Sequence, residues 1–142
     1  MRRTASWLGA GMVALVGLST AALVGCNDRI SQCNALITVI NEEQGKHKDT
    51  AGDNADDLKK LGDALEGTAK KIGDVQLKDE KLKAFREEYK KMCEDLANAA
   101  RDAATAGDDP KKRETAIKVM QGIGPREDKL VNDINSYCQG GG

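Results

Sequence analysis

The chain has 142 residues, of which 32% are charged, 39% hydrophobic and only 3% aromatic, and its formal net charge is −1. That length supports one domain with a modest core. Phosphate-backbone binding needs clustered net positive charge, so nucleic acid is excluded as an expected partner.

The first 25 residues read as a targeting segment. "MRR" supplies a positively charged start, and "WLGAGMVALVGLSTAALVG" supplies an uncharged, mostly apolar run long enough to enter a translocon. The run closes on Leu23, Val24, Gly25 and Cys26, and the chain turns polar immediately afterwards. This "LVGC" resembles the lipobox of bacterial lipoproteins: a large apolar residue, a tolerant position, a small residue and a cysteine. The resemblance implies diacylglyceryl transfer to the Cys26 sulfur and cleavage before Cys26 by the lipoprotein signal peptidase, which reads Leu23, Val24 and Gly25. It further implies acylation of the new N-terminus by a fatty acid such as palmitate. The residue types suit that chemistry, because a thiolate is the attacking group for a thioether and glycine lets a peptidase approach the bond. Two or three acyl chains anchor stably where one does not. The competing reading is an uncleaved transmembrane anchor over residues 7–24, which approaches spanning length and leaves Cys26 as coincidence. Asn27 follows the cysteine, where an Asp would favour inner-membrane retention under the enterobacterial rule; the analogy points to the outer membrane and leaves the facing open.

Residues 26–142 form the expected folded domain. Arg2 and Arg3 are the only charges before it, so it carries 20 basic against 23 acidic residues, a net charge of −3. Helix periodicity is the main signal along it. In "DRISQCNALITVINEEQ", Ile30, Cys33, Ile37 and Ile40 recur at spacings of three and four, with Gly45 as a stop. The stretch "GKHKDTAGDN" reads as a polar loop. A second helix follows from Leu58, Leu61, Leu65, Ala69, Ile72 and Val75, capped by Asp53 or Asn54, with Asp56 and Asp57 against the positive end of the helix dipole. Gly62 and Gly67 either weaken it by about 1 kcal/mol each relative to Ala or allow close helix approach.

A third helix runs from a cap at Asp79 through Leu82, Phe85, Tyr89, Met92, Leu96, Ala99 and Ala103 to Gly107. A fourth starts at "DDP", where Asp109 caps and Pro110 takes the first helical position. It carries Ile117, Met120, Ile123, Leu130, Ile134 and Tyr137, and Pro125 in "GIGP" should kink or divide it. Basic clusters such as Lys59-Lys60, Lys70-Lys71 and Lys111-Lys112-Arg113 read as solvated helix faces, with contact to anionic lipid as the functional alternative.

Four amphipathic helices with short connections predict an all-α, up-down-up-down four-helix bundle after the N-terminal lipoprotein signal peptide, since each apolar stripe must be buried on another. That topology puts the start of the first helix and the end of the fourth at one end. A Cys33–Cys138 disulfide is therefore expected, closing a loop of about 105 residues worth about 4–5 kcal/mol in the chain-entropy model. Cys93, mid-helix beside Met92, reads as a buried thiol behaving as a small apolar residue, against the alternatives of a redox or intermolecular cysteine.

Reactive constellations are scarce. His47 is the single histidine, and Ser31 and Ser136 are the only serines after Cys26, with no nucleophile-elbow sequence. A di-iron bundle needs Glu-x-x-His on two helices, and neither CxxC nor a haem-attachment motif is present. Cys33, Cys93, Cys138 and His47 would have to converge to form a metal site. "DTAGDNADD" lacks the spacing and final glutamate of a calcium loop. Glu42-Glu43, Glu87-Glu88 and Asp108-Asp109 are adjacent pairs, which diverge by about 100° on a helix. No catalytic residue, metal or cofactor is assigned.

Beyond the lipobox, "CNALITVINEEQ" and "LKAFREEYKKM" give the chain a likeness to small helical lipoproteins predicted from myxobacterial and other delta-proteobacterial genomes, a resemblance that implies no activity. The expectation is a non-enzymatic envelope lipoprotein, held to the membrane through acyl chains on Cys26, whose bundle is a structural module or meets an envelope protein partner. The alternative is a binding protein for a small apolar ligand or lipid, which a large internal cavity would favour.

Overall fold

The computed structural model describes residues 23–47 and 54–140; for residues 23–27 and 47 it describes the helical backbone alone. The apolar leader up to residue 22 and the segment 48–53 lie outside the described residues. Four helices follow one another: α1 (Leu23–His47), α2 (Ala55–Gly73), α3 (Glu80–Thr105) and α4 (Pro110–Gln139). Among the described residues there is no strand.

Each start has a local cause. Asn54 caps α2, its side-chain oxygen accepting from the Asp57 amide at 2.9 Å. Asp79 caps α3 by accepting from the Leu82 amide at 2.9 Å. Asp109 caps α4 by accepting from the amides of Lys111 and Lys112, with Pro110 at the first helical position. Each bond satisfies an amide that the helix itself leaves orphaned. Of the two caps open for α2, Asn54 is the one used. The turn after α3 passes through Gly107 at φ +52°, left-handed backbone that glycine adopts without a Cβ penalty.

Cross-helix contacts fix the topology. Cys33 and Gln44 on α1 meet Cys138 and Glu127 on α4, and Glu43 on α1 meets Thr68 and Lys71 on α2. Arg101 on α3 pairs with Asp63 and Glu66 on α2, while Tyr89 and Asp95 on α3 reach Glu127 and Arg126 on α4. Gln32 meets Lys78 just past α2, and Gly73 of α2 faces Lys90 of α3, so in every pair the later helix runs backward against the earlier one, which defines an up-down-up-down bundle. The bundle is flattened: α1 and α3 approach across one diagonal, whereas no Cα of α2 comes within 8 Å of α4.

The core comprises Cys33, Leu36 and Ile40 of α1, Ala69 and Ile72 of α2, Leu77 of the α2–α3 link, Leu82, Phe85, Tyr89, Met92 and Cys93 of α3, and Ile123, Leu130 and Ile134 of α4. Leu36, Ile72, Leu82, Leu130 and Ile134 are almost entirely enclosed. Burying each contributes about 1.5–3 kcal/mol relative to leaving it in water.

Several expectations change. The buried stripe of α1 is Cys33, Leu36, Ile40 and Glu43: Leu36 takes the central place expected for Ile37, which is only partly buried, and Ile30 is 48% exposed. Gly45 does not stop α1, which continues to His47; a glycine costs a helix about 1 kcal/mol against Ala without ending it. Val75 lies past the end of α2, in the link, where its carbonyl accepts a 2.9 Å hydrogen bond from Arg86. Ile117 is 40% exposed, on a helix that no Cα of α2 approaches within 8 Å. Pro125 does not divide α4, which is continuous from Pro110 to Gln139. Pro125 is solvent-exposed, so water can serve the carbonyl that its missing amide leaves unbonded.

Gly62 is buried where α2 crosses α3. A Cβ there would stand 2.8 Å from Arg101 Cγ and 3.1 Å from the Ala97 carbonyl, so this glycine permits close approach. Gly67 has nothing within 4 Å of such a Cβ and plays no such part.

Candidate functional site

Two regions concentrate polar chemistry on the apolar frame. The first is the end where α1 begins and α4 finishes. Cys33 and Cys138 form a disulfide there, with Cα atoms 5.9 Å apart and 105 residues between them in sequence. Around it, Gln32 Oε1 accepts from the amides of Lys78 and Asp79, and Tyr137 Oη donates to Asp79 Oδ2 at 2.9 Å. Arg29 lies 5.3 Å from the centre of the Tyr137 ring and donates to the Gly140 carbonyl at 3.1 Å. Tyr137 in turn meets Phe85 edge to face. These bonds join α1, the α2–α3 link, α3 and α4 at one end. Cys26 lies on the backbone of α1, seven residues before Cys33 and so about 10 Å from it along the axis. The side chains of Leu23, Val24, Gly25 and Cys26 lie outside the described residues.

The second region is a partly enclosed cavity of about 310 Å³ toward the other end of α1, lined from all four helices. Ile40, Leu61, Leu65, Met92, Leu96 and Ile123 supply apolar walls; Gln44, Thr68, Tyr89, Cys93 and Glu127 supply polar groups. Its position follows from helix length. Only three residues of α1 remain beyond Gln44, while α2, α3 and α4 extend further, so the space between the separated α2 and α4 is not filled from α1.

Three of these polar groups form a closed triangle. Gln44 Nε2 donates to Tyr89 Oη at 2.9 Å and to Glu127 Oε1, and Tyr89 Oη donates to that same carboxylate oxygen. Burial, then the Glu127 carboxylate, pushes the Tyr89 hydroxyl above its ordinary range, so it remains a phenol and a donor. Cys93 is free and buried, and burial followed by the charges of Glu127 and Glu94 pushes its thiol up to about 12. A thiolate is the reactive form of cysteine; at neutral pH Cys93 is a thiol.

Glu43, only 5% exposed, is a third polar feature and a structural one. It bridges Lys46 and Lys71, the latter at 3.0 Å, and accepts from Thr68 at 3.2 Å. Burial opposes its charge, but the two lysines outweigh burial and hold its carboxyl below the usual range. A wider groove of about 710 Å³ runs along the outer faces of α3 and α4. Asp102, Asp109, Lys111 and Lys112 on its walls are solvent-exposed, which makes it a hydrated surface.

Of the residues weighed for chemistry, Cys33 and Cys138 come together, and Cys93 lies about 20 Å along α3 from its capped start. Ser31 and the backbone of His47 are separated by about 24 Å along the single helix α1. Among the described residues no group of three metal-ligating side chains converges, and no helix is long and apolar enough to cross a membrane. The Gln44–Tyr89–Glu127 triangle was not foreseen. Each member sits one helical repeat from a core residue, but their meeting depends on the register of three helices.

Comparison with family models, curated proteins and solved structures returns no match to this chain.

Proposed function

We propose that the chain is a non-enzymatic envelope lipoprotein, cleaved before Cys26, acylated there, and held at the outer membrane as a structural or protein-interaction module. The observation that supports this most is the uncharged apolar run closing on Leu23, Val24, Gly25 and Cys26. α1 continues from Cys26 to Cys33, where the disulfide joins it to α4, so acyl chains on Cys26 would hold the bundle close to the bilayer. Metabolic labelling with palmitate tests the reading. Wild-type protein takes up label and partitions with membranes, and Cys26→Ser loses both; a wild-type chain without label would refute it.

A second reading is favoured by the cavity. Its apolar walls and single polar cluster suit a small ligand with one hydrogen-bonding group, and its volume falls at the lower end of the range for ligand sites, about 300–1,000 Å³. Protection of the Met92 methyl signal on ligand addition is the direct test.

A further inference from the structure

The cavity lining is electrostatically one-sided. Glu127 is its one charged group, and the cavity has no lysine, arginine or histidine among its lining residues. The adjacent cation, Arg126, turns to Asp95 at 3.1 Å. The donors nearest Glu127 are already engaged, since Gln44 Nε2 and Tyr89 Oη both point at Oε1. Among the described residues, Glu127 Oε2 accepts no hydrogen bond and Glu127 has no ion-pair partner.

A carboxylate beside apolar walls is an incomplete pair, and a cation brought by a ligand would complete it. A carboxylate ligand would meet repulsion from Glu127 and find only the weak S–H donor of Cys93. Resting on the reading that the cavity holds a small ligand, we propose that its ligand class is a cationic amphiphile: a primary ammonium head bound at Glu127 and an apolar body between Leu61, Leu65, Met92 and Leu96. A cavity of about 150 Å³ holds one benzene, so this space suits a ligand of roughly twelve non-hydrogen atoms.

Three near-isosteric probes separate the possibilities: 4-phenylbutylamine, 4-phenylbutanol and 4-phenylbutanoate. The full chain, prepared from a bacterial host in lipid nanodiscs and carrying ¹³C-methyl methionine, reports binding through Met92, which lines the cavity. Met120, which does not, reports non-specific partition. The amine should shift Met92 saturably and bind about tenfold more tightly than the acid. Glu127→Gln keeps the acceptor for Gln44 and Tyr89, and should bring amine and alcohol within about threefold of each other. Leu61→Trp, which fills a partly exposed wall, should abolish the shift, with the disulfide and helix content intact. Preference for the acid or the alcohol would overturn the ligand class while leaving the cavity a binding site. No saturable Met92 shift with any probe, or amine binding unchanged by both variants, would overturn the proposal, the former together with the ligand-binding reading.

Discussion

Tyr137 Oη donates a 2.9 Å hydrogen bond to Asp79 Oδ2 while the other oxygen of that carboxylate caps α3 at the Leu82 amide. One side chain thus both starts α3 and fastens the last turns of α4 to it. Gln32, bonded to the amides of Lys78 and Asp79, adds α1 to the same knot. Asp79→Ala should destabilise the bundle by about 1–2 kcal/mol, the usual worth of a cap, and Tyr137→Phe by about 1 kcal/mol. In urea titrations the double variant should lose less than the sum, because the two changes remove one shared bond.

The disulfide lies beside this knot and closes nearly the whole described chain. Replacing Cys33 and Cys138 by Ala should lower stability by about 4–5 kcal/mol if the chain-entropy account holds. Chemical denaturation with and without reductant measures it. An effect below about 1 kcal/mol would mean that the hydrogen bonds at this end already restrict the chain.

Two glycines of α2 should respond in opposite directions. Gly62→Ala puts a methyl group against the Arg101 side chain and the Ala97 carbonyl and should destabilise by about 1–3 kcal/mol, the range for overpacking. Gly67→Ala meets open space and should stabilise by about 0.5–1 kcal/mol through helix propensity. Thermal unfolding of the two variants is sufficient to compare them.

Much of this was legible in the sequence, and the remainder shares one cause. The caps at Asn54, Asp79 and Asp109 and the apolar repeats of α2 and α3 are local signals, and local rules read them. The disulfide follows from topology, which short connections and four stripes restrict strongly. On α1 the periodic pattern admitted Ile30 and overlooked Leu36, because two apolar faces overlap and only the neighbouring helices decide which is buried. Backbone chemistry alone predicts a break at Pro125, yet on an exposed face its lost hydrogen bond does not divide the helix. Gln44, Tyr89 and Glu127 carry no motif: their cluster exists only through the relative heights of α1, α3 and α4.

Stability should fall at both ends of the pH range. Burial alone would lift Glu43, Asp79 and Asp95, but Lys46 and Lys71, the Leu82 amide with Tyr137, and Lys91 with Arg126 outweigh it, so all three carboxyls lie below their ordinary 4.5, 3.8 and 3.8. The unfolded chain therefore binds protons first, and their contribution is lost as pH falls from those values through the lower folded ones. At high pH, Cys93 and Tyr89 are raised from 9.0 and 10.0 by burial, so their contribution is complete below pH 9 and is lost progressively as pH rises above it. Urea midpoints taken from pH 2 to 11 should show both limbs, and Cys93→Ala should shift the onset of the alkaline one upward.

The most direct test of the central claim, a lipid-anchored bundle closed by one disulfide, is the intact mass of the detergent-extracted chain from a bacterial host, alkylated under denaturing conditions before and after reduction. The expected species begins at Cys26 with added acyl mass and carries one alkylated thiol, at Cys93, before reduction and three after it. An uncleaved, unacylated chain would contradict the anchor, and three alkylated thiols without reduction in an exported chain would contradict the disulfide.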